Sequence, residues 1–131
     1  MTTLPKKVDP RTASGPALRA YFNIMEKWGL DVEQQMKLLG SPARSTFFLW
    51  KKDRNGHLSM DQLERVSYVL GIYKALHILL PDEEAADTWI KKENSAPFFG
   101  GRRALDRMLA GQVGDLYEVR KYLDAQRGGW G

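Results

Sequence analysis

The feature that most constrains this chain is the spacing of its apolar residues. Leu18, Tyr21, Phe22, Met25 and Trp28 recur at the three-and-four interval that sets side chains on one face of a helix. Strict alternation of apolar and polar residues, the mark of a half-buried strand, is almost absent, so the chain reads as all-α. The punctuation agrees. Ser14, with Pro16 just inside, opens the first helix, and Gly29 closes it. Asp31 caps a short second helix that ends at Gly40, and Ser41-Pro42 starts a third at once, running to about Lys52. After the turn signal Asn55-Gly56, Ser59 caps a fourth helical stretch toward Leu80.

That fourth stretch carries Leu63, Val66, Leu70, Tyr73 and Leu80 on one face, but Ile72, Leu76, Ile78 and Leu79 point away from it. A helix apolar nearly all round needs neighbours on several sides. It is expected between two modules or between two copies of the chain, with Ile72, Leu76 and Leu79 as the dimer contacts. Further on, Pro81 and the acids after it restart a helix, Asn94 to Gly101 is a loop, Arg102 to Ala110 is a short helix, and a last helix runs to Arg127. These boundaries give a flexible basic arm (1–14), a helix-turn-helix module (15–70) and a small helical C-terminal domain with an extended tail (71–131).

Composition excludes several kinds of chemistry. Among 131 residues there is no cysteine, hence no disulfide framework, thiolate metal site or thiol nucleophile. The longest apolar run, Ala75 to Leu80, is interrupted by His77 and falls far short of the roughly 20 residues of a membrane span. The basic N-terminus has no apolar stretch behind it, so no secretory signal is read there, and the cytoplasm is the expected location. No Walker-type loop, zinc-protease motif or nucleophile elbow occurs. His57 reads as a turn residue, His77 as a core residue, and Asp82, Glu83, Glu84 and Asp87 as the complement of a helix dipole. The reading is of a protein that is not an enzyme and needs no cofactor or metal.

Charge points toward a polyanion. Residues 1–54 hold ten basic residues against five acidic ones, whereas residues 55–101 hold four against seven. Within the basic third, two short helices joined by Leu38-Leu39-Gly40-Ser41-Pro42 match the helix-turn-helix plan. On a wheel of about 100° per residue, Ala43, Thr46, Phe47 and Trp50 form the core stripe of the third helix. Opposite stand Arg44, Ser45, Phe48 and Lys52, with Lys51 at the edge and Arg54 just beyond the helix end. Arg44 and Ser45 suit base edges, Phe48 a thymine methyl, and Lys51, Lys52 and Arg54 phosphates. The plainer alternative is a solvated basic face, against which an exposed Phe beside cations argues.

The C-terminal third presents a second group. Phe98 and Phe99 are adjacent in a loop, which buries two aromatics less easily than a helix stripe does. The last helix has Val113, Leu116, Tyr117, Val119 and Leu123 on its apolar face, with Arg120 inside that stripe and Arg127 near its edge. Arg120 either snorkels or pairs internally with Asp106 or Glu118, or it serves an interface. Trp130, in a glycine tail, either frays or enters a partner's pocket.

From about Leu18 to Trp130 the sequence resembles the Xre/MbcA/ParS antitoxins, small bacterial proteins encoded beside RES-domain toxins. The resemblance rests on Leu38-Leu39-Gly40 leading to Trp50, on Leu58-Ser59-Met60-Asp61-Gln62-Leu63-Glu64-Arg65 and on Leu70-Gly71-Ile72-Tyr73. It continues in Trp89-Ile90, Asn94, Phe98-Phe99-Gly100-Gly101, Leu109-Ala110-Gly111 and Leu116-Tyr117-Glu118-Val119-Arg120-Lys121-Tyr122-Leu123. It implies an Xre/Cro-like helix-turn-helix that binds the operator of its own operon, followed by a helical toxin-binding domain. The implied partner is a RES-domain toxin that consumes NAD, its active-site cleft blocked by the antitoxin's C-terminal end. Arg120, Arg127 and Trp130 would then stand where a dinucleotide stacks and pairs, with Phe98, Phe99 and Arg102 as further toxin contacts. A homodimer is expected, with no membrane partner. The rival reading is a free-standing helix-turn-helix transcriptional regulator whose C-terminal domain serves dimerisation or an effector.

Overall fold

A computed structural model describes residues 9–129 of the chain. Helix α1 (Pro10–Trp28) starts where the Asp9 carboxylate accepts the Arg11 N–H and Pro10 supplies a preset first turn. That start lies four residues ahead of Ser14, the expected cap. Ser14 is instead buried inside α1, where its hydroxyl donates to the Pro10 carbonyl and accepts the Leu58 N–H at 2.9 Å. Gly29, at φ 64°, takes the left-handed conformation that ends the helix.

Helix α2 (Val32–Leu38) is opened by a reciprocal capping box of Asp31 and Gln34. Gly40 and Ser41, both at positive φ, turn the chain into α3 (Arg44–Asp53). The Ser59–Gln62 capping box then opens α4 (Met60–Leu79), which runs through Gly71 without a break. Asp82 caps α5 (Glu83–Thr88), a single 3₁₀ turn (Trp89–Lys91) follows, and α6 (Ala104–Met108) and α7 (Val113–Gly129) complete the fold. Among the described residues the extended pairing is one isolated bridge, Glu93 with Arg103, so the architecture is all-α.

Helix α4 lies at the centre, packed against α1, α5 and α7. Those are the neighbours that its all-round apolar surface requires, and they belong to the same chain. Ile72 and Leu76, expected between two copies, are 0% exposed, so these two dimer contacts read from the sequence are corrected, whereas Leu79 is only partly buried against the same core. Ile78 is the member of that group that faces solvent.

The helix-turn-helix is tied to α1 from both sides. The buried Tyr21 hydroxyl donates to the Gln35 carbonyl at 2.6 Å, and edge-on contacts run from Tyr21 to Phe22 to Phe47. On α4, the guanidinium of Arg65 is almost fully buried. It donates to Asp61 at 3.0 Å and to the Gly111 carbonyl at 3.1 Å, and it lies against Gly40, where a Cβ would sit 3.0 Å from its Nε. One side chain thus touches both the turn before α3 and the loop before α7.

Gly56 lets the loop after α3 close over Trp50, because a Cβ there would overlap the indole, whereas a Cβ at Gly114 meets nothing within 4 Å. Gly56→Ala should therefore lower the unfolding free energy by about 1–3 kcal/mol. Gly114→Ala, inside α7, should leave it unchanged or raise it by up to roughly 1 kcal/mol. Urea denaturation of both variants reads the contrast.

Candidate functional site

The outer face of α3 is set by what its inner face buries. Phe47 is fully buried and Trp50 nearly so, which turns Arg44, Ser45, Phe48, Leu49 and Lys52 outward. Phe48 is 42% exposed and Leu49 58%, so two large apolar side chains face water beside cations. Leu49 was not among the expected residues. Its signal was in the sequence: Ser45 and Lys52, one turn to either side, are polar and share its face. Ala43, expected in the core stripe, is exposed, and Thr46 is half-buried.

Two of the expected cations are engaged within the chain. Arg44 pairs with Glu33 at 2.6 Å, and its guanidinium stands 5.5 Å from the Phe48 ring centre. Both partners of that ion pair are largely exposed, so solvent screening leaves it weak and exchangeable. Arg54 differs from the expectation. It closes α3 in the left-handed conformation, donates to Glu26 at 2.9 Å and lies over the Phe22 ring, so its side chain turns back onto α1 rather than outward beside Lys52. Lys51 is half-buried, and Lys52 is exposed.

The second surface is built on the loop between the 3₁₀ turn and α6. Asn94 accepts the Ala96 N–H, Gly100 and Gly101 reverse the chain at positive φ, and the Glu93–Arg103 bridge closes the loop. Phe99 is buried edge-on against Trp89 and Tyr122, at 5.7 and 5.0 Å. It anchors the loop, which corrects the expectation that its ring is presented. Phe98 is half-buried, stacked on Tyr122 at 5.6 Å with 11° between the planes, and Arg107 lies 4.8 Å from its centre.

Phe98, Phe99, Arg102, Arg103, Asp106 and Arg107 surround a cleft of about 340 Å³. Arg103 grips Asp106 with two nitrogens, at 2.7 and 3.2 Å, and Arg107 donates its Nε to Asp115 at 3.1 Å. The hydrogen bonds from Arg103 hold the Asp106 carboxyl below the usual aspartate range. Arg102 is exposed and makes no side-chain hydrogen bond among the described residues, although its charge also helps to keep Asp106 ionised. Arg103 and Arg107 were missed in the sequence, where Arg-x-x-Asp at the opening of a short helix was their signal.

Arg120 does not face outward. Its guanidinium lies across α4 at Gly71, where a Cβ would overlap it, and its Nε donates to Asp124 at 3.3 Å, not to Asp106 or Glu118. Arg127 is exposed, 3.8 Å from Asp124, and Trp130 lies outside the described residues. His77, expected as a plain core residue, shares a 2.7 Å hydrogen bond with Asp87 and packs on Tyr73, joining α4 to α5. No helix among the described residues is long and apolar enough to cross a membrane.

The chain thus joins a helix-turn-helix to a helical region that carries an arginine-lined cleft. Residues 7–71 match the antitoxin Xre-like helix-turn-helix domain, and residues 75–129 match the antitoxin Xre/MbcA/ParS C-terminal toxin-binding domain. The chain belongs to the Xre-type antitoxins. It is 56% identical over 112 residues to the uncharacterized protein y4oB of Sinorhizobium fredii (strain NBRC 101917 / NGR234), a match covering 86% of this chain and 84% of that protein. The two domain matches meet inside α4.

The depressed Asp106 pKa fixes the sign of a pH effect. The pair's contribution is fully present above the ordinary aspartate value of 3.8 and is lost as pH falls through the lower folded value. Asp106→Asn should therefore destabilise the protein at neutral pH, with the difference shrinking below about pH 4. Urea unfolding of both proteins at neutral and acid pH measures it, and a difference independent of pH contradicts it.

Proposed function

We propose that this antitoxin neutralises a RES-domain toxin that consumes NAD, holding it on the C-terminal domain with its own C-terminal end over the toxin's active-site cleft. It also represses its own operon by binding operator DNA through α3, and it works in the cytoplasm. The observation that carries this reading is the union, in one chain, of an Xre-like helix-turn-helix and a toxin-binding domain. Nothing in the reading requires this chain to perform catalysis. Blocking an active site needs contact area and charge, which α6, α7 and the tail supply.

On the DNA side, Arg44 and Ser45 read base edges, Lys51 and Lys52 hold phosphates, and Phe48 with Leu49 meets the thymine methyls, the apolar groups of the major groove. Arg44 reaches a base by exchanging Glu33 for it. Operators recognised by such modules present half-sites about one helical turn apart, which calls for two copies of the chain. The homodimer proposed here uses a surface other than Ile72 and Leu76. On the toxin side, the residues offered are Phe98, Arg102, Arg127 and Trp130.

The deciding experiment co-expresses the chain with the protein encoded beside it, reads growth and NAD level, and then isolates the complex. Restored growth and NAD with co-purification support the reading. A harmless or non-binding neighbour contradicts it and favours the free-standing regulator. Two variants carry the detail. Arg44→Ala should weaken operator binding by about 1–3 kcal/mol, and an unchanged gel-shift affinity contradicts the base-reading role. Deleting residues 127–131 should leave the helical circular dichroism signal intact yet weaken neutralisation, and equal protection by the shortened chain contradicts the blocking role of the tail.

A further inference from the structure

The cleft beside α6 holds more positive charge than the chain itself answers. Three guanidiniums line it, and one carboxylate, Asp106, lies among them. Arg103 spends its Nε and Nη2 on that carboxylate, and Arg107 spends its Nε on Asp115. The remaining N–H groups of both, and the whole Arg102 guanidinium, have no acceptor among the described residues. The aromatic wall is already ordered, because Phe98 is held by its stack on Tyr122 and by Arg107. A concave site with an apolar wall and two arginines already fixed by carboxylates loses little side-chain entropy on binding beyond the ordering of Arg102. Arginine and aromatic residues in such positions carry most of an interface's binding energy.

We propose that this cleft receives an acidic side chain of the toxin, an aspartate or glutamate whose apolar neighbour packs on Phe98. The inference rests on the toxin-binding reading of the domain and adds to it the chemistry of the contact. The carboxylate accepts from Arg102 first and from the free N–H groups of Arg103 and Arg107 at the cleft wall. Asp106, itself in the lining, favours a singly charged acid over a doubly charged phosphate. The pairings with Asp106 and Asp115 hold the two inner arginines in place before the partner arrives. Arg103 and Asp106 are therefore positioning residues for one another, while Arg102 is the binding cation.

The test measures toxin affinity by calorimetry, at low and high salt, with the full chain and its RES-domain toxin. Arg102 is exposed and makes no side-chain hydrogen bond, so Arg102→Glu should keep the fold, and its thermal midpoint and that of Arg102→Gln check this despite the nearby Asp106. Arg102→Glu should weaken binding by about 30-fold or more, and Arg102→Lys by less. Phe98→Ala should weaken binding by roughly tenfold, with the salt dependence unchanged. Lys92→Glu, exposed and outside the cleft, should bind within about twofold of the unaltered chain. Unaltered toxin affinity in Arg102→Glu overturns the cleft's role while the antitoxin reading stands. Failure of the unaltered chain to bind any RES-domain protein overturns the partner assignment itself. Inorganic phosphate is titrated alone while the Arg102 side-chain resonance is followed. Saturation by phosphate, with toxin affinity insensitive to Arg102→Glu, assigns the cleft to a small anion and overturns the proposal.

Discussion

A helix that is apolar on every side cannot be left with a free face, and α4 satisfies that condition by becoming the axis of the whole chain. Helices α1, α5 and α7 cover it, so the helix-turn-helix and the toxin-binding domain do not have separate cores. Arg65 reinforces the connection at one point, its buried guanidinium held by Asp61 while it touches Gly40 before α3 and Gly111 before α7. Removing a partner from a buried cation is strongly destabilising, which gives that small group of atoms leverage over both ends of the molecule.

The consequence is that both surfaces are carried on one shared core. The face of α3 is assembled from single side chains on one helix, oriented by Phe47 and Trp50 beneath it. The arginine cleft is assembled differently, from a loop pinned by Phe99 and closed by Gly100, Gly101 and a single bridge. In both places, ion pairs within the chain stand ready before a partner binds. Arg44 is held by Glu33 with Phe48 beside it, and Arg103 and Arg107 are held by Asp106 and Asp115. In the proposed function the first pair opens as Arg44 turns to a base, whereas the second set stays closed and presents its outer edges.

Features decided within a few residues were legible in the sequence. The caps at Asp31 and Ser59, the glycine stop at Gly29 and the inner stripe residues Phe47 and Trp50 all follow from local spacing. Features decided by distant partners were not. Ser14 reads as a cap until Leu58, 44 residues on, needs its oxygen. Ile72 and Leu76 read as an interface because periodicity reveals an apolar face but not which element covers it. Arg120 reads as a contact until Gly71, far away in sequence, leaves room for its guanidinium. Phe98 and Phe99 look equivalent until Trp89 and Tyr122 enclose one more than the other. In the α3 face, the five outward residues were nearly all in view, and Arg54 was lost because Glu26 and Phe22 draw it back to α1.

With α4 as the shared axis, the helix-turn-helix and the C-terminal domain form one cooperative body. Native-state hydrogen exchange across a denaturant series tests it most directly, because it reads the opening free energy of each amide. The slowest amides of α1, α4 and α7 should converge on one opening free energy with one denaturant slope. A separate, lower-energy opening of α7, with α1 and α4 still protected, would contradict it.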